Sequence, residues 1–288
     1  MNFFSFFRSE RLTPEWSFVA DGIVWRLLFT GRGRIVGECR NQEKKTTSFF
    51  CLSEESGKPV WQGLRLDEDW WVGMEAVHGD TLLLHGFASP DMPEHRGIRS
   101  YDLETGSLRW RKDEVTYWFG MGDRIFAYRD FFERRVGYEI DPRTGELKTA
   151  YEQSLQELHD LRRQAAETEP GPDMTLPEIL SEGSVEPAIL IFVSRLTKGK
   201  GVVGNVEFIR ESDILAFNYH VRARESTAQT AFFENHLFIY RYPHGNRLFS
   251  DVTTRDLKAQ VPDSFFIRRR RLFFIKDQKT LTALRLWK

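Results

Sequence analysis

The side chains most able to do chemistry are seven histidines: His78, His85, His95, His159, His220, His236 and His244. An imidazole can ligate a transition metal or move a proton near neutral pH. No two of them stand in the His-x-x-x-His spacing that puts both rings on one helix face. Spacing alone therefore gives no metal site and no cofactor, and any convergence has to come from the fold. Asp67-Glu68-Asp69 offers three carboxylates before Trp70-Trp71, enough for a cation or for acid–base work, but a run of acids usually marks a solvated loop. Arg268-Arg269-Arg270-Arg271 is the densest basic run. With Phe265, Phe266, Phe273 and Phe274 around it, the run could dock a small anionic group on one rim. It falls in an expected turn, where water can hydrate all four charges.

Other motifs point away from familiar chemistries. Gly31-Arg-Gly-Arg-Ile-Val-Gly37 has the glycines of a phosphate cradle. Strand-like residues follow it instead of a helix, so a hairpin turn is expected. The loop of Lys198, Gly199, Lys200 and Gly201 lacks the Lys-Ser or Lys-Thr of a nucleotide-binding loop, and no Gly-x-Ser-x-Gly occurs. Two cysteines, Cys39 and Cys51, lie at equal distances from position 45. They could face each other across a hairpin, are expected to be buried and reduced, and cannot complete a four-ligand zinc site.

The bulk numbers narrow the partners. Among 288 residues, 41 are basic and 42 acidic, for a net charge of -1. That balance gives no steering toward nucleic acid or an anionic membrane. No apolar run reaches the length of a membrane-crossing helix. Asn2 to Phe7 is apolar but has no basic stretch before it and meets Arg8, so a secretory leader is not expected. The expected location is cytoplasmic, with a protein or small molecule as partner.

The elements that must position these groups announce themselves by repetition. Ser-Gly-Lys-Pro-Val-Trp at 56–61, Thr-Gly-Ser-Leu-Arg-Trp at 105–110 and Thr-Gly-Glu-Leu-Lys at 144–148 are copies of one turn. Asp102 and Asp141 stand three residues before Thr105 and Thr144. Asp can accept hydrogen bonds from the backbone it precedes, and Gly57, Gly106 and Gly145 supply the positive φ of the turn. The glycines recur at the spacing of one four-stranded propeller blade. Strand-like runs flank each turn, among them Asp80–Phe87 with Gly97–Leu103, and Arg124–Arg129 with Arg135–Ile140. Residues 88–96, with Pro90 and Pro93, are expected to form a loop. Trp25, Trp71 and Trp118 mark the innermost strand of each unit, and Trp16, Trp61 and Trp110 the outermost.

The two ends of the chain complement each other. Three strands are expected at 264–267, 271–276 and 281–286, one short of a blade. The strand around Trp16 has no blade of its own before it. Pairing Pro14–Phe18 with the C-terminal strands closes the ring and removes its open edge. Leu237–Arg241 and Arg247–Val252 form a further unit, with Ala231–Phe233 inside and Asp256–Gln260 outside. Between lie an amphipathic helix at 155–168, within an insert of about 152–186, and strand-like runs at 189–193, 206–209 and 214–219. The expectation is an all-β, single-domain β-propeller over 1–288 with six or seven blades, one of them degenerate, and a helical insert.

The turn Asp-x-x-Thr-Gly with Trp four residues after the Gly is similar to the repeat of quinoprotein-like (PQQ-like) β-propellers. Asp102, Thr105, Gly106 and Trp110 match it in full. Asp141, Thr144 and Gly145 match the turn, with Thr149 at the Trp position. Gly57 and Trp61 match its end, where Ser53 and Ser56 replace Asp and Thr. The chain also resembles an uncharacterised bacterial family of such propellers. The resemblance implies either a redox enzyme or a non-catalytic scaffold. The enzymes have larger rings, a leader, a quinone and usually calcium, and some carry adjacent cysteines that Cys39 and Cys51 do not match. The expected function is a non-enzymatic propeller that binds a protein or small ligand. The alternative is an enzyme acting on a small polar or carbohydrate-like substrate in a central channel, with His85 facing that channel.

Overall fold

The computed structural model describes residues 11–89, 92–152, 155–168, 173–183, 185–224, 226 and 231–287. Two compact units divide the chain, Ala20–Gly171 and the pair of segments Met1–Val19 and Pro172–Lys288. Nearly all the secondary structure is antiparallel sheet: five sheets of four or five strands among the described residues, with two helices. Strand β1 (Pro14–Val19) belongs to the second of these units.

In the unit Ala20–Gly171 three sheets follow one another, each a simple meander. The first is β2 (Ile23–Phe29), β3 (Arg34–Asn41), β4 (Thr46–Ser53) and β5 (Pro59–Leu64). The second is β6 (Val72–His78), β7 (Thr81–Ser89), β8 (Met92–Asp102) and β9 (Leu108–Lys112). The third is β10 (Thr116–Met121), β11 (Arg124–Asp130), β12 (Arg135–Ile140) and β13 (Leu147–Tyr151). In the first sheet the middle strands are buried on both faces, Ile35 to Cys39 and Thr47 to Leu52 throughout, as for strands covered on both sides. Helix α1 (Gln156–Thr168) then lays Leu158 and Ala165 on Phe119 and Phe126 of the third sheet, as its amphipathic pattern predicts.

The unit Met1–Val19 with Pro172–Lys288 holds two sheets. One has the order β1, β21 (Thr280–Arg285), β20 (Arg271–Lys276), β19 (Phe265–Arg268), so the N-terminal strand joins the C-terminal three as expected. Trp16 pairs with Ala283 and Phe18 with Leu281. The other is five-stranded: β14 (Glu178–Ile179), β15 (Val202–Glu211), β16 (Ile214–Arg222), β17 (Phe233–Arg241) and β18 (Asn246–Leu257).

Several local expectations are corrected. Ile189–Val193 is not a strand but lies in α2 (Pro187–Thr197). Pro187 opens that helix, where its missing N–H costs nothing, and Ile189 and Val193 are buried one turn apart. Leu237–Arg241 does not begin a separate blade, because β17 pairs with β16 along nine residues. Residues 88–89 and 92–96 are strand, Phe87 pairing with His95 and Ser89 with Met92, so the β7–β8 ladder extends into the expected loop. The thiols do not face each other. Cys39 pairs with Ser48, and Cys51 with Val36. Both cysteines are free and buried.

The repeated turn is built as the sequence implies. The Asp102 carboxylate accepts the Glu104 and Thr105 N–H groups at 3.0 and 2.8 Å and the Thr105 hydroxyl at 3.0 Å. Asp141 accepts the Arg143 and Thr144 N–H groups at 2.8 and 3.0 Å. In the first copy the Ser53 hydroxyl accepts only Ser56 N–H, at 3.4 Å. The Gly57 N–H still reaches Ser53 O at 2.8 Å, as Gly106 reaches Asp102 O and Gly145 reaches Asp141 O at 2.9 Å.

Candidate metal centre and the adjoining cavities

The histidines that sequence spacing leaves apart are partly gathered by the second sheet. Among the described residues, one group of three could hold a metal ion: Glu75, His85 and His95, with one ligand atom from each lying within 4.8 Å of the others. His85 is on β7, the second strand of its sheet. His95 is on β8, across the hairpin. Their rings lie face to face, 3.5 Å between centroids and 15° between planes, with Phe87 edge-on to both.

Glu75 arrives through a bulge. The β6–β7 ladder shifts register between Met74 and Ala76, leaving Glu75 without a partner. The same shift occurs between Val24 and Arg26 in β2–β3 and between Tyr117 and Phe119 in β10–β11. The skipped residues are Trp25, Glu75 and Trp118. Glu75, and not Trp71, therefore occupies the place that Trp25 and Trp118 hold in the neighbouring sheets, and Trp71 lies just before β6. A bulge re-aims one side chain at the edge of a sheet, and here that side chain is a carboxylate. Glu75 accepts from or shares a proton with His95 Nδ1 at 2.8 Å. Arg26 donates to the Met74 and Glu75 carbonyls and so holds the bulge.

The two imidazoles differ in setting. His85 is buried and His95 is half-buried. Burial, first of all, lowers the His85 pKa to about 4, with the nearby charges of His95 and Arg26 adding to it, so the ring is neutral at physiological pH. Its Nδ1 bonds Gly86 O at 3.0 Å, which leaves Nε2 with its lone pair. A Cβ on Gly73 would stand 2.8 Å from that Nε2, so glycine on the facing strand keeps the space. Behind it Glu38, also buried, accepts Met74 N–H at 2.9 Å and Arg40 Nε at 2.7 Å.

Two imidazoles and one carboxylate are the donors that zinc and non-haem iron take in open sites. Four-coordinate bonds of ~2.0–2.2 Å place ligand atoms roughly 3.5 Å apart, so the stacked rings must splay for an ion to enter.

Cavities of about 410 and 360 Å³ flank this hairpin, and Arg96 and Asp113 line both. His95 borders the smaller one beside Tyr128. Trp71, Phe87, Arg99 and Arg111 line the larger.

The other expected sites fare differently. The Asp67-Glu68-Asp69 run is structural: Asp67 pairs with Arg99 and Arg111, and Glu68 caps the Trp70 and Trp71 N–H groups. The four-arginine run is not a solvated turn throughout. Arg268 ends β19 and is 4% exposed. Arg268 and Arg269 lie 3.6 and 3.0 Å from Asp173, and Arg271 lies 2.7 Å from Glu15. Only Arg269 and Arg270 form the turn, both at positive φ, as a two-residue hairpin demands. No described helix is long and apolar enough to cross a membrane.

Residues 30–110 match a family described as a domain of unknown function (DUF4905). No curated protein matches the chain. Among solved structures, the chain is similar to a europium-containing methanol dehydrogenase at 11% identity, with 94% of this chain and 52% of that one covered and a TM-score of 0.33. It thus spans about half the length of that enzyme. It is also similar to the β-propeller domain of the Trilobed protease from Pyrococcus furiosus, at 9% identity, 92% and 71% coverage and a TM-score of 0.31. An uncharacterized protein from Listeria monocytogenes EGD-e gives 10% identity, 91% and 94% coverage and a TM-score of 0.33.

Proposed function

We propose that the chain binds a divalent transition-metal ion through Glu75, His85 and His95 and uses it on a small polar substrate. The observation that carries this reading is the convergence of the three ligand atoms within 4.8 Å. Three protein ligands leave coordination positions open, where an ion can polarise a carbonyl or activate water. The smaller flanking cavity gives a substrate access to His95. This favours the enzyme over the purely non-catalytic scaffold, and it departs from quinone chemistry, for which Cys39 and Cys51 offer no adjacent pair.

The test is a titration of chelator-stripped protein with Co²⁺, read by visible absorption and calorimetry. One equivalent should bind, and His95→Gln and Glu75→Gln should abolish it. Absence of stoichiometric binding, or binding that both variants keep, would overturn the proposal.

We further propose that the five sheets are blades of a single-domain β-propeller of six or seven positions, closed by β1. The shared meander order and the repeated Asp-x-x-Thr-Gly turn support that reading. Low-angle scattering would check it, since two loosely tethered units give a larger radius than one closed disc. The cytoplasmic location expected from the sequence stays part of this reading, with two buried thiols on strands that do not bring them together.

A further inference from the structure

The larger cavity carries a recognition chemistry of its own, independent of any metal. Three arginines line it, yet they are not equivalent. Arg111 is held by two carboxylates, its Nε with both Asp113 oxygens at 2.6 and 2.9 Å and its Nη1 with Asp67 at 2.5 Å. Arg99 is 8% exposed, and only its Nη2 has a carboxylate, Asp67 at 3.3 Å. Its Nε is buried with no partner among the described residues. Its Nη1 lies 3.4 Å from the point a Cβ on Gly86 would occupy, and Gly86 lines the same cavity. Arg96 is exposed at the cavity's edge and has no ion pair among the described residues.

The acids there do not compete. Asp113 is held by Arg111, and Glu68 by the Trp70 and Trp71 N–H groups. Two guanidinium groups with unused donors therefore face one space. Arg99 Nε itself is closed off from the cavity, but Nη1, beside Gly86 and without a hydrogen-bond partner among the described residues, and the exposed Arg96 can meet an oxyanion there. The remaining wall is aromatic. Trp71 and Phe87 meet edge to face at 6.1 Å. A volume of about 410 Å³ suits a small organic molecule.

We infer that this cavity binds a small organic oxyanion, a carboxylate or phosphate monoester carried on a flat apolar body, with Arg96 and Arg99 holding the charged end and Trp71 and Phe87 the ring.

Chelator-stripped protein, titrated calorimetrically with phenyl phosphate, benzoate, inorganic phosphate and phenol, tests this without involving the metal reading. Phenyl phosphate or benzoate should bind, inorganic phosphate more weakly, and phenol not measurably. Whichever aromatic anion binds tighter names the oxyanion. Arg99→Lys and the exposed Arg96→Gln should each weaken the aromatic anion about tenfold, the loss of one charge-assisted hydrogen bond. Lys58→Gln, an exposed change outside the cavity, controls for net charge. No binding by either aromatic anion overturns the inference. So does binding untouched by both arginine changes, or phenol binding as tightly as phenyl phosphate. Loss of Co²⁺ binding alone would leave it standing.

Discussion

Trp110 lies on Gly145. A Cβ on that glycine would stand 2.7 Å from the Trp110 ring, and the indole N–H donates to Pro142 O at 2.9 Å. One sheet earlier Trp61 repeats this, 3.1 Å from the corresponding point on Gly106 and bonded to Leu103 O at 2.8 Å. Trp61 and Trp110 thus each clasp the Asp-x-x-Thr-Gly turn of the next sheet. The glycine serves twice, for its positive φ of 69° or 73° and for the ring that covers it. Gly145→Ala should lower unfolding stability by about 2–3 kcal/mol, from strain and overpacking together. Trp110→Phe should cost about 1–2 kcal/mol through the lost hydrogen bond and the looser fit. Urea denaturation measures both. Equal stability of Gly145→Ala and the parent would mean the clasp contributes nothing.

Asp80 ties two elements of the same unit, accepting from Arg109 at 3.1 Å and lying 3.1 Å from Arg143. Hydrogen bonding from Arg109, then the charges of Arg109 and Arg143, lower its pKa from 3.8 to about 2. A lowered folded-state pKa favours folding above the unfolded value, and that contribution fades as pH falls from about 3.8 toward 2. Solvent screening limits it to about 1 kcal/mol. Asp80→Asn should therefore reduce the melting temperature at pH 7 and narrow its difference from the parent at pH 2–3. A constant difference across that range would contradict the assignment.

The thiols should be silent in the folded protein. Burial pushes Cys51 up to about 12 and raises Cys39 as well, and only a thiolate attacks a disulfide reagent. Ellman's reagent should label neither cysteine at pH 8 and both in denaturant. Since Cys39 faces Ser48, oxidant should not link the pair. Fast labelling of one native thiol would show that its strand opens.

Glu15 anchors β1 to its sheet. Burial works against its charge, but hydrogen bonds from Arg271 and Arg285 hold its carboxyl below the usual range. Its contribution is present above the unfolded-state pKa and is lost as pH falls below it. Glu15→Gln should raise the hydrogen-exchange rate of Ser17 and Phe18 several-fold while leaving β6–β9 unchanged. Identical exchange along β1 would leave its backbone ladder as the sole anchor.

Much of the fold was legible because strands and turns are local. The Asp102 and Asp141 turns, the hairpins of the first three sheets and the partnership of Trp16 with the last strands all follow from short patterns. The candidate site was not legible, for three physical reasons. The bulge that presents Glu75 depends on ladder register, which sequence does not display. His95 lies beyond Pro90 in a stretch whose prolines read as loop, although a hairpin can extend through such residues where its ladder is interrupted. Ile189–Val193 suits a strand as well as a helix, and only Pro187 at its start signals the helix. The recurring tryptophan did hold the clue: Trp25 and Trp118 sit on bulges, and the corresponding place in the second sheet is an acid.

The pairing of β1 with β21 also governs order in time. Ser17 and Thr282 touch across 265 residues of chain. During synthesis that sheet must wait for its last strand, whereas the sheets from β2 to β13 need only neighbours already made. Contacts so distant in sequence close slowly. The unpaired β1 is then the segment most open to a chaperone, or to a neighbouring chain's edge, until β21 arrives.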